Sequence, residues 1–335
     1  MDIVTQGLLG AALALSVAKP AETRRAAAIG FSAALLADAD VLIGSPGDTL
    51  VNLEFHRHFT HALVFIPLGA LVAALLLWPL LRKRIEFKRI YLFALLGYAT
   101  AGLLDACTSY GTHLLWPFSD ARIAWSIIAI VDPLFSAFLL VALVWGLKQC
   151  RSGPARVGLA LAGSYLLLGV WQHHAALQVA GQLAQQRGHE VERVIVKPTI
   201  ANLLLWRSIY EADGVYHVDA IRLGLWGSDR IYAGASAPRF DVTRDRPDIA
   251  PDSILGRDIE RFASLSDDFV ITDPGRDGVL IDLRYSMLPI GLTPMWGIDL
   301  NVASQDQHAR FSVYRDRPGN MREKFIAMLL GRDLP

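Results

Sequence analysis

Up to about Gly181 the chain is a succession of apolar runs close to the length a bilayer demands, and this confines that part to a membrane helical bundle. Crossing the hydrocarbon core takes about 20 mainly apolar residues per helix. Within lipid, every backbone N–H and C=O must be bonded inside the segment. Six runs come close, at 3–18, 26–43, 62–81, 90–106, 127–147 and 157–180. The third and fifth are the strongest. The first is short and opens Met1-Asp2-Ile3 with no basic residue, so it reads as a retained helix rather than a cleaved leader.

After residue 181 the character changes, with Asp, Arg, Pro and Gly at short intervals. Two domains follow: a transmembrane helical domain at 1–181 and a soluble α+β domain at 182–335. Over all 335 residues 53% are hydrophobic and 19% charged, against about 25% charged in soluble domains. The formal net charge is zero, which argues against a general nucleic-acid binder. The two cysteines, Cys107 near an expected helix end and Cys150 in a basic loop, form no CxxC pair, which disfavours a thiolate zinc site and a disulfide between them.

The loops set an orientation. The first, third and fifth connections carry Lys19, Arg24 and Arg25; Arg82, Lys83, Arg84, Lys88 and Arg89; and Lys148, Arg151 and Arg156. The second and fourth carry only Arg57 and Arg122. Basic loops stay cytoplasmic, so the expected topology has six spans, with the N-terminus, the second and fourth loops and the C-terminal domain on the extracytoplasmic side.

In that topology the ionisable residues gather at one face. Asp38 and Asp40 end the second span, and His56, His58 and His61 lead into the third. Asp105 ends the fourth, His113 follows it, and Asp132 lies near the outer end of the fifth. Such groups are costly at membrane depth unless paired, metal-bound or wet. Imidazole and carboxylate together suit a divalent cation, either one ion or two. Each residue also has a plainer reading. Asp38-x-Asp40 terminates a helix, the histidines are surface groups, Asp105 accepts in a turn, and Asp132-Pro133 is a helix N-cap with Pro at N1. The joint placement is what favours a site, because chance would scatter these residues over both faces.

Several of these stretches resemble one known family. His56-Arg57-His58-Phe59-Thr60-His61 is similar to the H-R-x-x-T-H motif of the YdjM-like proteins, bacterial inner-membrane proteins described as metal-dependent hydrolases. Leu36-Ala37-Asp38-Ala39-Asp40 resembles their P-D-x-D element, with Ala where Pro is common. Leu103-Leu104-Asp105-Ala106-Cys107-Thr108-Ser109-Tyr110-Gly111, followed by Leu115-Trp116-Pro117-Phe118-Ser119, resembles their L-L-D-x-x-T-x-x-G…L-W-P-F-S block. Asp132-Pro133 matches a D-P step, and the Thr5–Ala11 opening also fits. The likeness covers roughly residues 1–180. It implies the bacterial inner membrane and a metal site built from Asp38, Asp40, His56, His61 and Asp105, with Asp132 as a further member.

The functional expectation is a membrane-bound metal-dependent hydrolase. His56, His61, Asp38 and Asp105 would be ligands, and Asp40 or Asp132 a base or part of a second ligand set. Zinc is the first choice of metal, with manganese, iron or magnesium as alternatives. Such an ion acidifies water for attack on an ester or phosphoester, and Arg57 would steady the anionic transition state or anchor to lipid phosphate. Location alone suggests membrane lipids as partners and an amphiphilic substrate, such as a phospholipid or a lipid-linked envelope precursor. The rival is a non-catalytic membrane protein, either an ion path or transporter or a scaffold with a structural metal. Polarity confined to one face and the lack of an inverted repeat speak against transport.

In the C-terminal domain, alternation predicts strands at 191–198, 203–211 and 215–223, with an Asp213-Gly214 turn between the last two. Further strands are expected at 269–272, 279–285 and 296–300, and short helices at 257–265 and 322–330. The expected domain is built on an antiparallel sheet. Arg207, His217 and Arg222 are candidates for binding an anionic group, or else ordinary strand-face residues.

Overall fold

The computed structural model describes residues 1–224, 229–302, 304–315 and 319–335. They form two compact units. The first holds Met1–Ile43, Phe55–Trp171 and Ile200–Leu203, and the second holds Gly44–Glu54, Gln172–Thr199 and Leu204–Pro335.

The first unit is helical. In chain order its helices are α1 (Ile3–Ser16), α2 (Thr23–Leu36), α3 (Val51–Phe55, only Phe55 in this unit), α4 (Ile66–Leu81), α5 (Phe87–Ala106), α6 (Pro133–Gln149) and the N-terminal half of α7 (Gly153–Gln186). The bundle closes around small residues. A Cβ on Gly30 of α2 would fall 2.4 Å from the carbonyl oxygen of Gly10 in α1, and one on Gly97 of α5 would fall 2.2 Å from that of Gly30. Three backbones thus touch where only glycine fits, the packing that membrane helices use when no side chain intervenes. Around this contact, Leu15, Ile29, Ile90, Phe93, Phe135 and Leu139 form one buried core.

Among the described residues, three helices are able by length and composition to cross a membrane: Leu63–Leu81, Phe87–Ala106 and Gly153–Gln186. Helices α1 and α6 are apolar but have 14 and 17 residues. The run expected to be one span at 26–43 is an α-helix only to Leu36. It then tightens into a 3₁₀ turn, Ala37–Leu42, so Asp38 and Asp40 ride on a turn and not on a helix end.

The second unit carries two antiparallel sheets in place of the one expected. The first runs β1 (Arg193–Pro198), β2 (Leu205–Ala212), β3 (Val215–Arg222) and β4 (Arg230–Pro238). Asp213 and Gly214 both adopt positive φ in the β2–β3 turn, the geometry that a two-residue hairpin needs. Next in the chain come the short α8 (Val242–Asp245) and α9 (Ile254–Leu265), capped by Ser253 on the Gly256 N–H at 3.0 Å. The second sheet is β5 (Val270–Thr272), β6 (Val279–Asp282), β7 (Trp296–Asp299) and β8 (Arg310–Val313), and α10 (Met321–Leu330) follows. Its side chains alternate as a pleat requires. Ile271, Val279 and Ile281 pack with Ile209, Tyr216 and Val218 of the first sheet, while Val270, Leu280 and Ile298 pack with Ile259 and Phe262 of α9.

The candidate anion-binding residues of this unit have structural partners. Arg207 is buried and donates to the carbonyls of Leu283, Leu288, Pro289 and Gly291 at 2.8–3.1 Å. Arg222 donates to the Leu329 carbonyl, and His217 stacks on Tyr210.

One segment of the second unit comes from far away in sequence. Residues 44–54, which run between Asp40 and His56, sit here. Leu50 is buried among Ile249, Leu255, Ile259 and Phe262. Thr49 Oγ1 donates to the Ala309 carbonyl and accepts from the Phe311 N–H. Arg261 spreads its guanidinium over Glu54 (2.6 and 2.9 Å), Asp48 (2.9 Å) and Asp258 (2.6 Å). Arg261→Ala removes that hub, leaves the buried Asp258 carboxylate with only the Ala309 N–H and His308, and should cost about 2 kcal/mol. Hydrogen exchange should then show the amides of 44–54 losing protection. Unchanged protection would mean that Leu50 and Thr49 hold the segment without the arginine.

Candidate metal centre

Three pieces of chain build the centre, all within the first unit: the 3₁₀ turn Ala37–Leu42, the 3₁₀ turn Phe59–His61, and the C-terminal end of α5. Helix α5 supplies the platform. Tyr98, Gly102 and Asp105 are spaced i, i+4, i+7 and so share one face. The Tyr98 hydroxyl donates to the Thr60 carbonyl at 2.8 Å. A Cβ on Gly102 would fall 2.2 Å from the His61 carbonyl oxygen, so the bare backbone lets the His61 turn lie flat on the helix. Asp105, just beyond, then meets the His61 ring.

His61 is fully engaged. Its Nδ1 lies 3.0 Å from Thr60 Oγ1 and 3.3 Å from Asp40 Oδ2, and the Thr60 hydroxyl itself donates to Asp40 Oδ2 at 2.8 Å. Both neighbours of Nδ1 are acceptors, so Nδ1 carries a ring hydrogen and Nε2 is the nitrogen left for a proton or a cation. That nitrogen lies 3.3 Å from Asp38 Oδ1 and 3.3 Å from Asp105 Oδ2, and it makes no hydrogen bond of good geometry. A lone pair facing two carboxylate oxygens is repulsive unless a positive charge lies among them. Burial opposes charging the ring, yet the Asp105, Asp38 and Asp40 carboxylates around it outweigh burial and hold its pKa well above an ordinary imidazole's, so a proton fills Nε2 where no cation does.

These three ligand atoms fit a metal ion. They lie within 4.8 Å of one another. Ligands about 2.0–2.1 Å from a tetrahedral centre are themselves about 3.3–3.4 Å apart, which is the spacing from His61 Nε2 to each carboxylate. Nitrogen-plus-oxygen donors suit zinc, manganese or iron. Asp40, bound to the ring's other nitrogen, is the carboxylate partner that orients a ligating histidine.

The remaining expected residues fall around this triad or outside it. Asp40 is buried and also accepts from the Arg57 N–H at 2.8 Å and from His56 Nδ1 at 3.2 Å, so His56 bears on Asp40 and not on the triad. Arg57 has φ 60°, a left-handed turn residue. Its Nε sits 3.0 Å from Asp105 Oδ2 and its Nη1 donates to Thr108 Oγ1 at 3.1 Å. The Met1 amino group reaches Asp105 Oδ1. Asp132 is not part of the group. Its carboxylate caps α6 through the Leu134 and Phe135 N–H groups and accepts from the Tyr165 hydroxyl at 2.8 Å. His58 and His113 pack against each other, with ring centres 4.6 Å apart. Tyr98 and Gly102 were not expected from the sequence, although their helical spacing ahead of Asp105 was an available sign, and Thr60 stood out there only as part of the H-R-x-x-T-H resemblance. A second acid–imidazole group, Asp48, Asp258 and His308 in the second unit, already holds the Arg261 guanidinium.

Comparison with known proteins gives the family. The family model described as YdjM inner membrane protein matches residues 1–176, more than half of the chain. The chain belongs to the YdjM family. The matched part contains every residue of the triad and its supports. YfhP of Bacillus subtilis (strain 168) is 25% identical over 173 residues, covering 50% of each protein. The inner membrane protein YbcI of Escherichia coli (strain K12) is 37% identical over 107 residues, 30% of this chain and 60% of YbcI. The chain thus spans half to three-fifths of these relatives' length. No solved structure matches it.

The Gly102 contact is testable. Gly102→Ala must lift the His61 turn off α5, and the loss of ligand orientation should weaken metal retention about ten-fold or more. Titrating the metal against a chelator in detergent measures this, and retention equal to the parent's would show that the turn seats independently of the glycine.

Proposed function

We propose that this YdjM-family protein is a membrane-embedded, metal-dependent hydrolase acting on an ester or phosphoester of an amphiphilic substrate. The reading rests chiefly on one observation: the hydrogen-bonded Nδ1 of His61 turns its Nε2 between Asp38 and Asp105. A divalent ion there, zinc first and manganese, iron or magnesium as alternatives, would polarise an ester oxygen and make water a nucleophile near neutral pH. Asp38, His61 and Asp105 would hold it. Asp40 would fix the His61 tautomer and is near enough to Nδ1 to share its proton. Arg57 would keep the Asp105 carboxylate aimed.

Two features favour turnover over a purely structural metal. Structural zinc sites are closed by four protein ligands, whereas catalytic ones have three and an open position; the group here has three. Asp38 is also 20% exposed, which leaves the centre one open edge. Metal content and hydrolysis of a panel of lipid phosphoesters should be measured for the parent and for His61→Ala and Asp105→Ala. Both variants should lose the metal and at least 100-fold of the activity, a scale typical of losing a catalytic group. A metal-free parent would end the proposal, and a metal-loaded parent inert on every substrate would leave only the structural role.

The same reading includes a six-pass topology with the second unit outside the cytoplasmic membrane, supported by the basic loops. Helix α7 has 34 residues and is about 51 Å long, well beyond the roughly 30 Å of hydrocarbon. Reporter fusions after Gln149 and after Arg187 should therefore report opposite compartments, cytoplasmic first. Both reporting the same side would overturn the topology.

A further inference from the structure

Beside the candidate metal centre, and connected to it through one aromatic ring, lies an arginine with no hydrogen bond or ion pair among the described residues. The Thr112–Ile123 bridge, closed by N–H···O bonds of 3.1 and 2.9 Å, brings Arg122 against Gly111. Gly111 has φ +93°, and a Cβ there would stand 3.2 Å from Arg122 Cβ and 3.4 Å from its Nε, so the missing side chain makes room for the arginine stem. The Arg122 guanidinium lies 4.9 Å from the Tyr110 ring centre. Arg57 lies 5.1 Å from the same ring, and the His56 ring meets its edge at 5.7 Å.

The two arginines differ in what they hold. Arg57 is committed to Asp105 and Thr108. Arg122 makes no ion pair or hydrogen bond among the described residues, and its Nε and Nη2 are buried without a hydrogen-bond partner. Those two nitrogens form one edge of the guanidinium plane, the edge that holds two oxygens of an oxyanion side by side. A buried donor left unbonded is costly, and two on one charged group call for a ligand. Burial, then Arg122, then His58 push the His113 imidazole down to about 4, against a smaller opposing effect of Asp120.

We propose that the Nε–Nη2 edge of Arg122 is a seat for a phosphate oxyanion, and that it binds the phosphate-bearing end of the ligand that the metal centre acts on. The connection to the metal centre rests on the hydrolase reading; the seat itself does not. A phosphate attached to an apolar tail fits best, because the same loop exposes Leu115, Phe118 and Trp125, with Phe118 84% exposed. Aromatic side chains next to a basic group are what a lipid headgroup region accommodates.

The test uses full-length protein in detergent micelles, with metal content measured alongside. Binding of phosphatidylglycerol and of inorganic phosphate is measured for the parent, Arg122→Gln and Arg122→Lys, with melting temperature as the control for folding. The parent should bind phosphatidylglycerol, Arg122→Gln should bind it at least ten-fold more weakly, and Arg122→Lys should fall between, all three with equal metal. Arg122-dependent binding of inorganic phosphate as well would mean that the seat reads phosphate alone. Binding of the lipid only would assign part of the affinity to the exposed apolar residues. Arg122→Gln binding as tightly as the parent, or a parent that binds neither probe, overturns the seat. A metal-free parent with Arg122-dependent binding would sink the hydrolase reading and leave the seat standing.

Discussion

One imidazole set among three carboxylates organises the membrane-associated unit. Each ring nitrogen of His61 has a distinct task, one anchored to Thr60 and Asp40, the other aimed between Asp38 and Asp105. The anchoring is inexpensive in residues but exacting in geometry. It needs a histidine whose own backbone can rest on a helix, hence Gly102, and a hydroxyl one position earlier to relay the Asp40 carboxylate to the ring. Without the close approach of turn and helix, Asp105 would lose His61 and keep only Arg57 and the Met1 amino group as partners for its buried charge.

Much of this was legible before any coordinates. Hydropathy separated an apolar half from a polar one, and His61, Asp38, Asp40 and Asp105 stood out because carboxylates and imidazoles are conspicuous in apolar surroundings. The strands flanking Asp213-Gly214 followed from alternation and a turn pair with a strong φ preference. What stayed hidden depends on contacts remote in sequence. Strands β4 and β8 have exposed, irregular patterns with little alternation to read. The second sheet was not separable from the first, because pairing partners are set by tertiary packing. Asp132 illustrates a different limit: an acid before proline reads equally as a ligand and as a helix cap, and only the N–H groups of Leu134 and Phe135 show which bonds it makes.

Arginine shows how strongly context decides role in this chain. Arg207 is buried under four carbonyls and acts as an internal staple, Arg261 gathers three carboxylates into a hub, and Arg57 steadies a single aspartate. Each uses the planar fork that lysine lacks. Arg57 and Arg207 leave only their Nε buried without a hydrogen bond, whereas Arg122 leaves both Nε and Nη2, a whole edge of the fork.

The segment 44–54 also bears on how the molecule is made. Leu50 leaves the ribosome early, yet the residues that bury it, from Ile249 to Ala309, emerge about 200 residues later, a delay on the order of ten seconds or more at ordinary translation rates. Until then the connection between Asp40 and His56 has no resting place, and the turns at its two ends are joined by a loose tether. The stretch of chain between Asp40 and His56 therefore gains its buried position only after the C-terminal half has been made.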